Sequence, residues 1–349
     1  MAGLIEIKAV DREFYESRLR GFLPPRLIDA HAHVWLEPGE PRDGSAGGRL
    51  VTWPGRVAAA NPVEHLLETY RLMLPGTAVT PLIFSNPAAG ANLDSLNDYA
   101  AQCSASHTLP ALALSRPEWT AGELEERILR GGFLGIKPYL SLAPASIPAD
   151  EIAIFDFLPP HHLEVIDRRG WIVMLHLPRP ARLRDPGNIE QLLEIGRRFP
   201  NARVIVAHVG RAYCPQDVGD AFERLASASH LCFDFSANTN ERVFSRLLDA
   251  VGPKRVLFGT DMPILRMRMR RICENGRYIN IVPRGLYGDV SGDPHMREVD
   301  GPVADRLTFF LYEEIDAFRR AARAAGLSRD DIEDVFHDNA ARIIEAARG

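Results

Sequence analysis

Residues 26–33 read R-L-I-D-A-H-A-H. A short apolar run ends in two histidines separated by one residue. Side chains alternate along a strand, so His31 and His33 at the end of a strand point the same way. One such pair arises often by chance, and its meaning depends on what the rest of the chain repeats. Apolar, β-branched runs recur at 79–84, 110–114, 134–139, 172–176, 203–208, 231–235 and 255–259. Between them lie amphipathic stretches of helical length near 62–74, 93–103, 121–129, 152–169, 189–199, 218–228 and 241–251. Strands alternating with helices mean βα units and a parallel sheet.

Eight strands at intervals of about 30 residues predict an α/β fold, a (β/α)8 TIM barrel, with its active site at the C-terminal ends of the strands. The rival is a doubly wound sheet. No G-x-G-x-x-G and no G-x-x-x-x-G-K-[ST] supports its nucleotide-binding versions. The reading is one domain over 1–349, with 1–25 as an N-terminal extension. Long loops follow strands one and eight, at 34–61 and 262–303, and two helices at 304–325 and 329–347 end the chain. Segment 262–303 is a candidate lid, since long loops at the catalytic end of a barrel tend to carry function.

Composition narrows the function classes. A net charge of −5 over 349 residues argues against a nucleic-acid platform. Apolar runs such as 171–175 are too short to span a bilayer. The first 20 residues are charged early and lack a signal peptide's apolar run. Cys103, Cys214, Cys232 and Cys273 are scattered without a C-x-x-C, so free thiols, small hydrophobes in a reducing, cytoplasmic setting, are expected. Of 41 basic residues only Lys8, Lys137 and Lys254 are lysine, so each of the three stands out in a chain whose default cation is arginine.

The histidine pair has company. His176 closes the fifth strand, His208 the sixth, and Asp261 follows the eighth in V-L-F-G-T-D-M-P. A lone histidine in such a place is usually a hydrogen-bonded core residue. Four histidines and an aspartate, all at strand ends of one barrel, converge on a single mouth. Neutral imidazoles and a carboxylate suit a divalent ion with an open position for water. Such an ion brings bound water to a pKa of about 7, with Asp261 placed to take the proton and His208 to polarise a substrate carbonyl or move a proton. Lys137 ends the fourth strand. It either binds a substrate carboxylate or packs in the barrel's polar end, and the first role is favoured. Arg211, just after His208, and Arg266, in the lid segment, are candidate substrate contacts, because guanidinium forks bind carboxylates. Trp35 either lines the pocket or packs in the first loop. There is no G-x-S-x-G and no H-E-x-x-H.

Together these motifs resemble the amidohydrolase superfamily, in its amidohydrolase 2 branch: D-A-H-A-H at 29–33, G-I-K-P-Y at 135–139, His176, A-H-V-G at 207–210, F-G-T-D-M-P at 258–263 and the tail 333–344. The resemblance covers about 26–346. It implies a metal-dependent hydrolase, lactonase, hydratase or non-oxidative decarboxylase. Similarity to aminocarboxymuconate semialdehyde decarboxylase implies one Zn2+ on His31, His33, His176 and Asp261, with His208 on substrate or water. Mn2+ is the alternative ion, and a second metal would need a carboxylated Lys137. The expected activity is hydrolysis of a small carboxylated molecule, with decarboxylation as the alternative and an inactive binding barrel as a reading of another class. A homodimer is expected by analogy alone.

Overall fold

The computed structural model describes residues 4–36, 57–87 and 92–349. Part of the long loop expected after strand one, residues 37–56, falls outside them. The barrel strands are β1 (Arg26–His33), β2 (Ala78–Phe84), β3 (Ala113–Ser115), β4 (Gly135–Pro138), β5 (Ile172–Leu175), β6 (Arg203–Val206), β7 (Leu231–Asp234) and β8 (Val256–Leu257). All neighbours pair in parallel, as β1–β2 and as a six-stranded sheet from β3 to β8. Strict pairing stops at two seams, and backbone hydrogen bonds cross both. Ile83 N donates to Pro110 O and Leu112 N to Ile83 O, each at 2.9 Å. At the other seam Ala30 N donates to Phe258 O at 2.9 Å and Asp261 N to His31 O at 2.7 Å. The expected eight-stranded α/β architecture is therefore present.

Both faces of each strand are apolar because both are covered. On β5, Ile172 and Met174 face the barrel interior, with Leu82, Leu112, Ile205 and Leu257, while Val173 and Leu175 face the surrounding helices. Helix starts follow side-chain chemistry. Asn92, Thr120, Asp185 and Asn240 each accept backbone N–H groups as N-caps of the helices after β2, β3, β5 and β7. The helix expected over 152–169 is two, Ile154–Phe157 and Pro160–Arg169. Pro159 and Pro160 have no N–H to continue the first and are suited to start the second. At the N-terminal end of the barrel, Asn339 donates to Val256 O and Pro253 O at 2.8 Å, seating the last helix, Asn339–Ala347, as a floor.

The segment after β8 is not a plain loop. It forms a three-stranded sheet of β9 (Arg270–Glu274), β10 (Arg277–Pro283) and β11 (Met296–Val299). This roof rests on loops at the catalytic end of the barrel. Arg271 is stacked on Tyr213, Tyr278 and Phe310 and donates to the Ala237 carbonyl. Arg182, from the loop after β5, lies over Tyr278 as well.

The roof also corrects the cysteine reading. Cys214, expected as a free buried thiol, forms a disulfide with Cys273 of β9, their Cα atoms 5.8 Å apart. The partners are 59 residues apart in sequence and meet only because the β9–β10 hairpin folds back over the end of β6. Free thiols remain at Cys103 and Cys232. Among the described residues no helix is long and apolar enough to cross a membrane.

Candidate metal centre

Two local irregularities aim the site. Strand parity that turns Ile28 and Ala30 inward would turn His31 outward. Between Asp29 and Ala32 the β1–β2 register slips, β1 carrying one residue more than β2. This bulge re-aims the strand, so His31 and His33 both enter the barrel mouth. On β4, Gly135 adopts φ +149°, and a Cβ there would collide with the Ile172 backbone. The break in alternation sends Ile136 to the helices and Lys137 to the interior. Beyond β6, His208, Val209, Gly210 and Arg211 all have φ between +50° and +64°. Such backbone persists where its surroundings over-determine it, commonly at functional sites. Here the His208 amide is held by Asp234 Oδ1 at 2.9 Å, and Arg211 Nη1 by Leu177 O at 3.0 Å.

The histidine rings form one cluster. Ring centroids are 4.7 Å apart for His31 and His208, 4.6 Å for His176 and His208, and 5.4 Å for His31 and His33. Asp261 Oδ1 lies 2.9 Å from His33 Nε2 and 3.5 Å from His31 Nε2. Donor atoms of His31, His208 and Asp261 all lie within 4.8 Å of one another, a group able to hold a metal ion. His176 Nε2 is buried and has no hydrogen-bond partner among the described residues. Gly259 makes room: a Cβ there would stand 3.0 Å from the His31 Cβ and 3.3 Å from the Ser236 Cβ.

Electrostatics suit a cation. Burial, reinforced by Lys137, lowers the pKa of His31 and His176, and burial takes His208 down to about 4. The imidazoles are therefore neutral near pH 7, as ligands must be. Burial would raise the Asp261 pKa, but His208, His33 and His31 outweigh it and hold the carboxyl well below the usual range. Lys137 is fully buried, its pKa lowered by burial to about 8, and Nζ has no hydrogen-bond partner among the described residues. Nζ lies 5.3 Å from the Phe84 ring centroid and 5.4 Å from that of Tyr139.

The two arginines singled out by sequence both make contacts to neighbouring loops. Arg211 braces the loop after β5 through the Leu177 and Pro178 carbonyls. Arg266 lies against Asn61 Oδ1 and the His65 carbonyl, and its Nε is buried without a partner among the described residues. Trp35 packs in the first loop, its indole donating to Ala59 O at 3.0 Å. Four residues of the centre carry no sequence assignment. Asn61 donates to the His33 carbonyl at 2.6 Å, and Tyr139 places its hydroxyl 3.4 Å from His33 Nδ1. Asp234 and Ser236 contact both His31 and His208. Asp234 ends the apolar β7, the same signal that marks His176 and His208.

The amidohydrolase family model matches residues 28–278. No curated protein matches the sequence. Among solved structures, a 5-carboxyvanillate decarboxylase from Sphingomonas paucimobilis is similar at a TM-score of 0.56 and 16% identity, covering 92% of this chain and 99% of that one. A zinc-bound amidohydrolase from Burkholderia multivorans gives 0.54 and 14%, covering 91% and 99%. A manganese-bound dihydroxybenzoic acid decarboxylase from Polaromonas gives 0.52 and 14%, covering 93% and 97%. At these identities the likeness is one of fold.

Proposed function

Because the chain belongs to the amidohydrolase family, we propose that it is a metal-dependent hydrolase of a small, carboxylated organic molecule. The observation that carries this is the convergence of His31, His208 and Asp261 within 4.8 Å, beside the buried Nε2 of His176, which has no hydrogen-bond partner among the described residues. Neutral imidazoles with one carboxylate fit a zinc- or manganese-type ion. His31, His33, His176 and Asp261 would hold it, with His208 close enough to join them. A divalent ion there polarises a substrate oxygen and acidifies water.

The chain's own groups supply the rest. Asp261, kept ionised, accepts a proton. His208, neutral with its Nδ1 side against Ser236, faces the chamber with Nε2. Lys137, buried and without a hydrogen-bond partner among the described residues, would take a substrate carboxylate. Arg211 and Arg266 shape the mouth through the loops they brace.

Non-oxidative decarboxylation on the same residues is the second reading. It is favoured by a carboxylate-binding lysine set against the Phe84 and Tyr139 rings, a setting that suits an aromatic acid. The test is metal content per chain, by plasma mass spectrometry, on protein purified without added metal or chelator. About one ion supports the centre. Two ions would move the function to binuclear chemistry with Lys137 as a carbamate. None, even after zinc and manganese are offered, overturns the enzyme reading. Carbon dioxide release during turnover of aromatic carboxylic acids then separates decarboxylation from hydrolysis.

A further inference from the structure

The end of β7 touches two imidazoles at once. Asp234 Oδ2 lies 3.0 Å from His31 Nδ1. Its other oxygen, Oδ1, accepts the backbone amides of His208 at 2.9 Å and Ser236 at 3.0 Å, together with the Ser236 hydroxyl. Two residues on, the Ser236 carbonyl lies 3.1 Å from His208 Nδ1. A carbonyl and a carboxylate accept hydrogen bonds, so the ring nitrogen at hydrogen-bond distance from one carries the proton; for His31 that is Nδ1, 3.0 Å from Asp234, since Nε2 stands farther off, 3.5 Å from Asp261 Oδ1. The opposite nitrogen of each ring is then bare.

We infer that the segment Asp234–Phe235–Ser236 locks His31 and His208 in the Nδ1–H tautomer and so selects Nε2 of both rings as the nitrogens offered to a metal ion. Asp234 is a positioning residue: it touches the imidazole of His31 and orders the backbone of His208, and it reaches no reacting atom. Both rings come from elements far away in sequence, one on β1 and one after β6, and a single short segment sets them together. The assignment of Nε2 to a metal rests on the proposed function; the tautomers do not.

The carboxylate's asymmetry gives a decisive variant. In Asp234→Asn the amide oxygen must stay on the side of the two backbone N–H groups. The amide NH2 then faces His31 Nδ1 and donates to it. His31 is driven to carry its proton on Nε2, the wrong tautomer, as happens when an amide replaces a carboxylate behind a catalytic histidine. Asp234→Ala imposes no tautomer. Asparagine, the better match in size, is therefore the more damaging change. A residue that only filled space would give the opposite order.

The experiment uses the full chain, labelled with 15N in its histidine rings and free of metal. Two-bond 15N–1H spectra report the protonated nitrogen of each ring, with His31 and His208 identified by the signals lost in His31→Gln and His208→Gln. Both rings are expected as Nδ1–H, and His31 is expected to move to Nε2–H in Asp234→Asn. Zinc affinity by competition with a chromophoric chelator is expected to fall about 10-fold in Asp234→Ala and about 100-fold in Asp234→Asn. Either ring protonated on Nε2 in the unaltered protein, or Asp234→Asn binding zinc as tightly as Asp234→Ala, overturns the inference. The unaltered protein's spectrum decides the tautomers even where a variant fails to fold. Loss of all zinc binding by the unaltered protein would instead sink the proposed function.

Discussion

Asp29 on β1 and Thr260 beyond β8 are joined twice, by the Thr260 amide to Oδ1 at 2.9 Å and by the Thr260 hydroxyl to Oδ2. The same carboxylate accepts the His31 amide and the Tyr70 hydroxyl. One buried side chain thus ties the β8/β1 seam together directly beneath His31. Asp29→Ala strands these donors in a dry interior, where each unsatisfied group costs about 1–3 kcal/mol. The variant is expected to lose at least about 3 kcal/mol of stability in urea unfolding. A loss under 1 kcal/mol would show that the seam is held by the backbone alone.

Lys137 sets a pH dependence. Burial lowers its pKa to about 8 from the ordinary lysine value. Its protonated form is disfavoured in the fold, so the group costs stability in full below about 8, and that cost is relieved as pH climbs from about 8 toward the unfolded value. For substrate binding the sign is opposite. KM for a carboxylated substrate is expected to rise as pH passes through about 8, or lower once a cation is bound nearby. Lys137→Arg, charged throughout, should flatten that rise and leave the metal count unchanged. Loss of a second metal in Lys137→Arg would identify a carbamate.

The Cys214–Cys273 bridge closes a loop of about 60 residues. Chain entropy assigns such a cross-link about 4 kcal/mol. Thiol titration of the unfolded, unreduced chain should find two free cysteines, and four after reduction. Cys273→Ser is expected to lower the melting temperature and to speed amide exchange in β9 and β10, with the barrel strands unaffected. Four thiols before reduction would mean that the bridge does not form.

Gly259 marks a packing limit. Its missing side chain leaves space taken by the Cβ atoms of His31, Ser236 and Asp234, at 3.0, 3.3 and 3.5 Å from where its own would lie. Gly259→Ala overfills this layer, at a cost of about 1–3 kcal/mol. It should also weaken zinc binding, because the displaced atoms belong to His31 and to the segment that orients it. A stable variant with unaltered zinc affinity would show that the layer can relax.

Much of this architecture is legible in the chain because parallel strands advertise themselves as apolar runs, and polar residues that end them mark the barrel mouth. His176, His208 and Asp261 are found that way. The bulge at Asp29–Ala32 is not, because register belongs to a strand pair and not to one strand. Asp234 carries the same strand-end signal as the histidines, yet a carboxylate whose partners are backbone amides and side chains brought together by the fold has no motif of its own. The roof is a different case. Glu274–Asn275–Gly276–Arg277 stands between alternating runs, and Asn-Gly in that setting is a strong hairpin signal. The arginines on either side draw attention to charge and away from the turn. The disulfide depends on that hairpin and stays hidden with it. The placement of Arg266 depends on the loop that carries Asn61, which sequence pattern leaves open.

The seam between β8 and β1 has a consequence for how the chain is made. His33 and Asp261 are separated by 228 residues and meet at 2.9 Å. On a ribosome the histidines emerge first and wait through nearly the whole barrel for their carboxylate. No nascent fragment ending before Asp261 can hold the complete centre, and every fragment that contains it also has the strands needed to close the ring. Assembly of the His–Asp cluster is thereby timed to the completion of the barrel.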